Sequence, residues 1–429
     1  MPGSVVVAGG LGDLGKLITE AILKTGQHDV YIMSRKLAPV IQTDYASETA
    51  VAELLIQHNC HTVICAFALD FEAASDAQLR LIRAAARAPC VRRFLPSEFN
   101  VDYDLPDAVL PYADKRFHAV ARRALEQTDL EFAYIYPGMF MDYFGMPRVA
   151  THLRELCVFV DPTHGVALLP GDGETRMAAS YTKDVARYTA LALALDRWPR
   201  VMTTASSSVT LNELVALVGK SRGSKLRVEY QSVGALQDRT DVRMLPRNEL
   251  IAGHFPGGVQ QLSALLADLG ASVALGAYDF SNLEGQLDLV ARFAGETEQP
   301  MKIETLLDMA WGGSAKTSPG EASTDKPIFE TDQCAASRPA NFPATPAPAG
   351  PSPGAPTLLP VSSARSWYCV FQVDVGRPAS TQHSPSGAPD PFRRPEPPDA
   401  SRDWHPGPAR PGPWLGGPAP CSAILAAPR

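Results

Sequence analysis

Three groups of residues in this chain have the types and spacing to act together. The first is Gly9-Gly10-Leu11-Gly12-Asp13-Leu14-Gly15, which can be read as G-x-x-G-x-x-G or as G-x-G-x-x-G. Its glycines can serve a tight turn, a close backbone approach to a pyrophosphate and close packing of a helix on a strand, with phosphate held at the helix N-terminus. The second is Arg35-Lys36, roughly twenty residues beyond the last of these glycines, where an acidic residue would suit the ribose of NAD and a guanidinium suits the 2′-phosphate of NADP. The third is Lys115, a cation able to neutralise the charge that hydride delivery creates on a carbonyl or activated double bond. Each group also fits a plainer reading: a structural turn, two solvated cations, and a surface lysine beside Asp114 and Arg116. For Lys115 the plainer reading is the favoured one on residue type alone.

The elements around these residues favour the chemical reading of the glycines. Ser4-Val5-Val6-Val7-Ala8 is a short β-branched run that enters the glycines directly. Beyond them Leu14, Leu17, Ile18, Ala21 and Ile22 recur at helical spacing until Gly26 ends the helix. Strand, glycine turn and helix in that order are the context a dinucleotide site requires. A second strand, Asp29–Met33, carries Arg35 and Lys36 at its end. Strands over 40–44 and 61–67 alternate with helices near 50–57 and 79–88, which predicts parallel crossovers and an α/β, doubly wound Rossmann-type sheet. Ligands of such sheets lie beyond the carboxyl ends of the strands, so Asp44, Tyr45, Phe67 and Ala68 are expected to border the nucleotide; packing alone accounts for Phe67 equally well.

Farther along stand Arg93-Phe94-Leu95-Pro96-Ser97-Glu98-Phe99-Asn100, Lys115, and Glu131-Phe132-Ala133-Tyr134-Ile135-Tyr136-Pro137-Gly138-Met139-Phe140. With Leu169-Pro170-Gly171-Asp172-Gly173 and Tyr181-Thr182-Lys183-Asp184-Val185, this set resembles the NmrA-like and isoflavone-reductase-like group of atypical short-chain dehydrogenases, fungal members in particular. The resemblance runs from Val5 to about Trp311. It implies that Pro96, Ser97, Glu98 and Phe99 border the nicotinamide and that Lys115 touches the cofactor and assists proton transfer. Two positions depart from the group: Asn100 stands where a glycine is common, and Tyr112 precedes Lys115 by three positions where ordinary short-chain dehydrogenases use four. The spacing sets Tyr112 aside as a catalytic tyrosine.

Gly138 through Phe144 is dense in apolar and aromatic residues, and Gly138, Met139, Phe140 and Tyr143 are expected to wall a substrate pocket; interdomain core fits each of them singly. The expected organisation is an NADP-binding Rossmann domain over 1–150, with 200–222 returning to it, a smaller interleaved α/β substrate domain over 151–312, and a proline-rich disordered tail over 313–429. Asp184 is expected to be structural, in the first turn of a helix capped by Ser180 or Thr182. Most of the 38 prolines fall in the tail, which holds an apolar island at Trp367–Val373.

A formal charge of −7 without a dense Lys/Arg cluster excludes an electrostatic nucleic-acid footprint. No apolar run reaches the roughly 18 residues of a membrane span, and no signal-type N-terminus is present, so a cytoplasmic protein is expected. Seven cysteines without C-x-x-C pairs read as reduced thiols, and the scattered histidines predict no metal. The resemblance implies an NADP-dependent oxidoreductase that reduces or oxidises a small aromatic or polyketide-like metabolite in specialised (secondary) metabolism. It also admits a redox-sensing regulator that binds dinucleotide without turnover, or a redox-neutral cyclase or dehydratase. Substrate and oligomeric state stay open.

Overall fold

The computed structural model describes residues 3–35 and 41–313. Lys36, Val40 and the proline-rich segment from residue 314 onward, with its island at 367–373, lie outside the described residues.

The chain begins with β1 (Ser4–Ala8), α1 (Asp13–Thr25), β2 (Val30–Ser34), β3 (Ile41–Gln42), α2 (Glu48–Gln57), β4 (Cys60–Cys65), α3 (Glu72–Arg87), β5 (Arg93–Leu95), α4 (Lys115–Glu126) and β6 (Glu131–Phe132). Its six strands form one parallel sheet in the order β3-β2-β1-β4-β5-β6. The direction of winding reverses between β1 and β4, so the crevice beyond their carboxyl ends is the ligand position of such a sheet.

Both faces of β1 are buried, as its unbroken apolar run requires. Val6 and Ala8 join one core with residues of α2, α3 and α4, while Val5 and Val7 join another with residues of α1. Successive side chains of a strand point to opposite faces, so one short run supplies two cores. Burial of each large aliphatic side chain contributes about 1.5–3 kcal/mol. Gly26 closes α1 in the left-handed region, φ 64°, where its amide donates to Leu23.

The chain continues through β7 (Tyr134–Tyr136), β8 (Met139–Phe140), α5 (Asp142–Gly145), β9 (Val160–Asp161), β10 (Val166–Pro170), β11 (Arg176–Ser180), α6 (Thr182–Ala192), β12 (Val201–Thr203), β13 (Ser207–Thr210), α7 (Leu211–Arg222) and β14 (Arg227–Gln231). Then follow α8 (Val233–Gln237), α9 (Pro246–Ile251), α10 (Gly258–Ala274), β15 (Leu287–Asp288), α11 (Leu289–Arg292) and α12 (Ile303–Trp311). β7 is separated from β6 by Ala133 alone and pairs in parallel with β12, which pairs with β15. α6 packs against α1, so later chain covers one face of the first sheet.

The return to the nucleotide-binding half is shorter than the sequence predicts. Only Val201–Thr203 pairs with β7; β13 pairs antiparallel with β11, and α7 packs its Leu211, Leu214 and Val218 into the second core. β9 is only two residues long, whereas α10 runs for 17 residues over Gly258–Ala274. The described residues lie in one compact unit. None of their helices is long and apolar enough to cross a membrane.

Candidate active site

The glycine turn is shaped by close contact. Gly9 has φ 80°, in the region that favours glycine, and a Cβ there would lie 2.8 Å from the Ala66 carbonyl oxygen and 3.1 Å from the Phe67 ring. At Gly15 a Cβ would lie 2.3 Å from the Gly9 carbonyl oxygen, so helix and turn meet backbone to backbone. Gly12, exposed, occupies the N-cap of α1 without a side-chain cap. The first-turn amides therefore offer donors and the positive end of the helix dipole to an anion. Asp13 is exposed, Gly10 is buried, and Leu11 and Leu14 are half-buried.

This arrangement fits a dinucleotide pyrophosphate, because Gly9 and Gly15 let turn and helix pack backbone to backbone while the start of α1 carries no side-chain cap over its amides. Arg35 is exposed just past β2, as a 2′-phosphate partner must be. Tyr45 is buried: its hydroxyl donates to the Met33 carbonyl at 2.8 Å and its ring meets Phe67 edge-on, centroids 5.0 Å apart. Burial pushes the Tyr45 phenol far above its usual range, so it stays protonated. Asp44 is exposed and accepts from the Ala46 amide, a local turn. Phe67 is half-buried and Ala68 exposed.

Ser97 is held from two directions. Its hydroxyl donates to the Phe67 carbonyl at 2.6 Å, and its amide donates to Gln78 Oε1 at 2.8 Å. Pro96 is buried beside it, and Phe99 packs half-buried against the core that holds α1. Glu98 has no exposure; its carboxylate takes the Arg122 guanidinium in a bidentate pair, one contact being 2.9 Å. Arg122 also reaches Asp102 at 2.5 Å and the Tyr136 hydroxyl at 3.0 Å. The Glu98 side chain therefore braces α4 against the segment after β5, and what that segment can offer a ligand is backbone and Ser97.

Lys115 opens α4. Its amine donates to the Leu105 carbonyl at 2.7 Å and pairs with Asp107 at 2.6 Å, on the wall of a depression of about 570 Å³ shared with Tyr103 and Tyr112. Asp107 is 90% exposed, so the ion pair is worth little in water.

Gly138, φ 70°, could not carry a side chain, since a Cβ would lie 2.3 Å from the Ala178 carbonyl oxygen. Met139 is buried in the second core, while Phe140 and Tyr143 are half-buried with ring centroids 6.5 Å apart. Burial, reinforced by the Asp142 charge, pushes the Tyr143 phenol above its usual range.

The N-terminus of α6 corrects one expectation. Tyr181 is its N-cap, and neither Ser180 nor Thr182 caps it; Asp142, fully buried, accepts instead from the Thr182 amide at 3.0 Å and hydroxyl at 2.6 Å. Ser180 donates to the Pro137 carbonyl. Asp184 pairs with Arg187 and accepts from the Met301 amide, a tie between distant segments. Gln78, Asn100, Arg122, Asp142 and Tyr278 all shape this region, yet none has local spacing that marks it. Asn100 alone carried a signal, as the departure from glycine.

Comparison with known proteins agrees with this geometry. The NmrA-like family model matches residues 1–251. Oxidoreductase swnN of Metarhizium robertsii is 30% identical over 281 residues, covering 58% of this chain and 81% of the relative. Isoflavone reductase of Cicer arietinum is 31% identical over 258 residues, covering 56% and 74%. In fold, the chain is similar to the leucoanthocyanidin reductase–NADPH complex of Vitis vinifera, with TM-score 0.54, 17% identity, and 71% and 98% of the two chains covered. An isoflavone reductase crystal structure gives TM-score 0.55 at 19% identity, covering 72% and 99%. The chain belongs to the NmrA-like family, within its isoflavone-reductase-like group of oxidoreductases.

Proposed function

We propose that this chain is an NADP-dependent reductase of small, flat carbonyl- or enone-bearing compounds, aromatic or polyketide-like, in specialised metabolism. The observation that carries the reading is the sterically closed glycine turn against the uncapped start of α1, with Arg35 exposed at the end of the neighbouring strand. The NADPH bound by the Vitis reductase of the same fold supports the choice of cofactor.

In this account Gly9, Gly10, Gly12 and Gly15, with the amides of Leu11, Asp13 and Leu14, hold the pyrophosphate, and Arg35 takes the 2′-phosphate. Lys36 is assigned to the same phosphate from its position in the sequence. Asp44, Tyr45, Phe67 and Ala68 border the nucleotide, and Pro96, Ser97, Glu98 and Phe99 form the segment beside the nicotinamide, with Glu98 acting through its hold on Arg122. Gly138, Met139, Phe140 and Tyr143 wall the substrate pocket. The bound dinucleotide supplies hydride. Lys115 is the cation for the charge that develops on substrate oxygen, a role that requires it to leave Asp107.

Oxidation of NADPH across a panel of carbonyl and enone compounds tests this reading, and turnover of at least one class is expected. Normal NADPH binding without turnover would move the assignment to a dinucleotide sensor. The Lys115 amine tied to Leu105 and Asp107 is the observation on that side. Partner binding that follows the NADP/NADPH ratio would then be the property to measure.

A further inference from the structure

The segment after β5 carries a closed circuit of contacts that neither the glycine turn nor Lys115 requires. The Asn100 carbonyl accepts from the Gly138 amide at 3.0 Å. Gly138 lies against Ala178, whose amide donates to the Tyr278 carbonyl at 2.8 Å. The Tyr278 hydroxyl donates back to Asn100 Oδ1 at 2.9 Å. Three distant pieces of chain thereby fix both the backbone and the side-chain amide of one residue. With Oδ1 taken as acceptor, Asn100 Nδ2 is aimed at the Tyr103 hydroxyl, 3.0 Å away.

The direction of these bonds matters. The Tyr278 hydroxyl uses its O–H as donor to Asn100, whereas the Tyr103 hydroxyl accepts a hydrogen bond from Asn100 and keeps its own O–H to donate. Among the described residues no acceptor is recorded for the Tyr103 hydroxyl. Its ring is stacked on His118, centroids 3.5 Å apart and planes within 11°. Through Asn100, Tyr103 is one residue removed from the segment assigned to the nicotinamide. Burial holds its phenol well above the usual range, so the hydroxyl is a donor at every working pH.

Tyr112 is a ring neighbour of Tyr103, centroids 6.3 Å apart, and Tyr143 belongs to the same aromatic core. Tyr103 and Tyr112 also line the depression that Lys115 faces.

We propose that the Tyr103 hydroxyl, oriented by Asn100, donates the hydrogen bond that receives the substrate's reacting oxygen and so selects compounds with a carbonyl or phenolate oxygen on a flat ring. This rests on the reductase reading for its place in a reaction, and it deepens that reading by naming the group the oxygen meets. A preorganised hydroxyl in a water-poor setting stabilises negative charge on oxygen more than water does. Asn100 is a positioning residue; Tyr103 is the donor.

The test uses 4-nitrophenol, a flat aromatic whose ionised form carries the oxyanion and absorbs visible light, titrated into the full chain with and without NADP. The wild type is expected to bind the phenolate and to lower the pKa of the bound probe. Tyr103→Phe, which removes one oxygen and keeps the ring on His118, is expected to bind it about tenfold more weakly and to abolish the pKa change. Asn100→Gly is expected to move both readouts in the same direction, and it carries the test if Tyr103→Phe does not fold. Tyr31→Phe, whose ring lies against His58, should match the wild type. Unchanged binding and pKa in Tyr103→Phe, or a wild type that does not bind the probe, would overturn the proposal. Probe binding that depends on Tyr103 without NADPH oxidation on any carbonyl compound would support Tyr103 as the donor and sink the reductase reading.

Discussion

The two walls of the crevice are built on opposite principles. The wall at the end of β1 is backbone: Gly9 and Gly15 approach so closely that no side chain fits between them, and α1 begins without a side-chain cap. The wall after β5 is side chain. Glu98, Arg122, Asp102 and Tyr136 form a charged brace, and Gln78 and the Phe67 carbonyl hold Ser97. The first wall gains its shape from what is missing and can accept a polyanion with little rearrangement. The second depends on every partner being present, because a buried polar group left alone is costly.

The largest effect is therefore expected from the side-chain wall. Arg122→Ala leaves the Glu98 carboxyl with no exposure and no cation, and should cost about 3–5 kcal/mol of stability in urea unfolding. Glu98→Leu combined with Arg122→Met should recover much of that loss, since an apolar pair of similar volume leaves no charge stranded. A single Arg122→Ala costing less than about 1 kcal/mol would mean that the brace is relaxed by water.

Lys115→Ala separates the two walls functionally. With phosphate recognition assigned to the glycine turn and Arg35 as proposed, NADPH affinity should survive while kcat falls by about 10²-fold or more. Lys115→Arg should recover little, because a fixed guanidinium does not exchange protons near neutrality. Equal loss in affinity and turnover would move Lys115 into cofactor binding, and full activity would return it to a surface role beside Asp107.

A smaller effect comes from His118. Burial, reinforced by the Arg122 charge, pushes its imidazole down from 6.5 to about 3. The unfolded chain takes up this proton below about pH 6.5 and the folded chain only near pH 3, so the contribution is complete above pH 6.5 and is lost as pH falls, at about 1.4 kcal/mol per unit. Melting temperatures at pH 7 and pH 5 should differ less in His118→Phe than in the wild type. An identical difference would show that His118 is protonated in the fold.

The same contrast explains what could be read in the amino-acid order. Val5–Ala8, the glycines and the helix that Gly26 ends are consecutive, so strand, turn and helix are each specified locally, and the glycines are required by sterics. The second wall is specified by pairs far apart in the chain: Ser97 with Gln78, Glu98 with Arg122, and Asn100 with Tyr278, 178 positions away. Glu98 follows Ser97 in a motif and so looks like a ligand residue, yet its carboxylate is turned inward to Arg122. Thr182 stands where a cap is expected, but Asp142, from another element, supplies the acceptor. Short strands such as Val160–Asp161 carry too few residues for alternation to mark them.

The central claim is that the first wall holds NADP, and the most direct measurement is a calorimetric titration of NADPH and NADH into the wild type and Arg35→Ala. The account expects NADPH to bind the wild type about tenfold or more tightly than NADH, as a charge-assisted pair with the 2′-phosphate provides. In Arg35→Ala that preference should collapse while NADH binding stays unchanged. Equal affinities for the two dinucleotides in the wild type, or equal losses for both on removing Arg35, would contradict it.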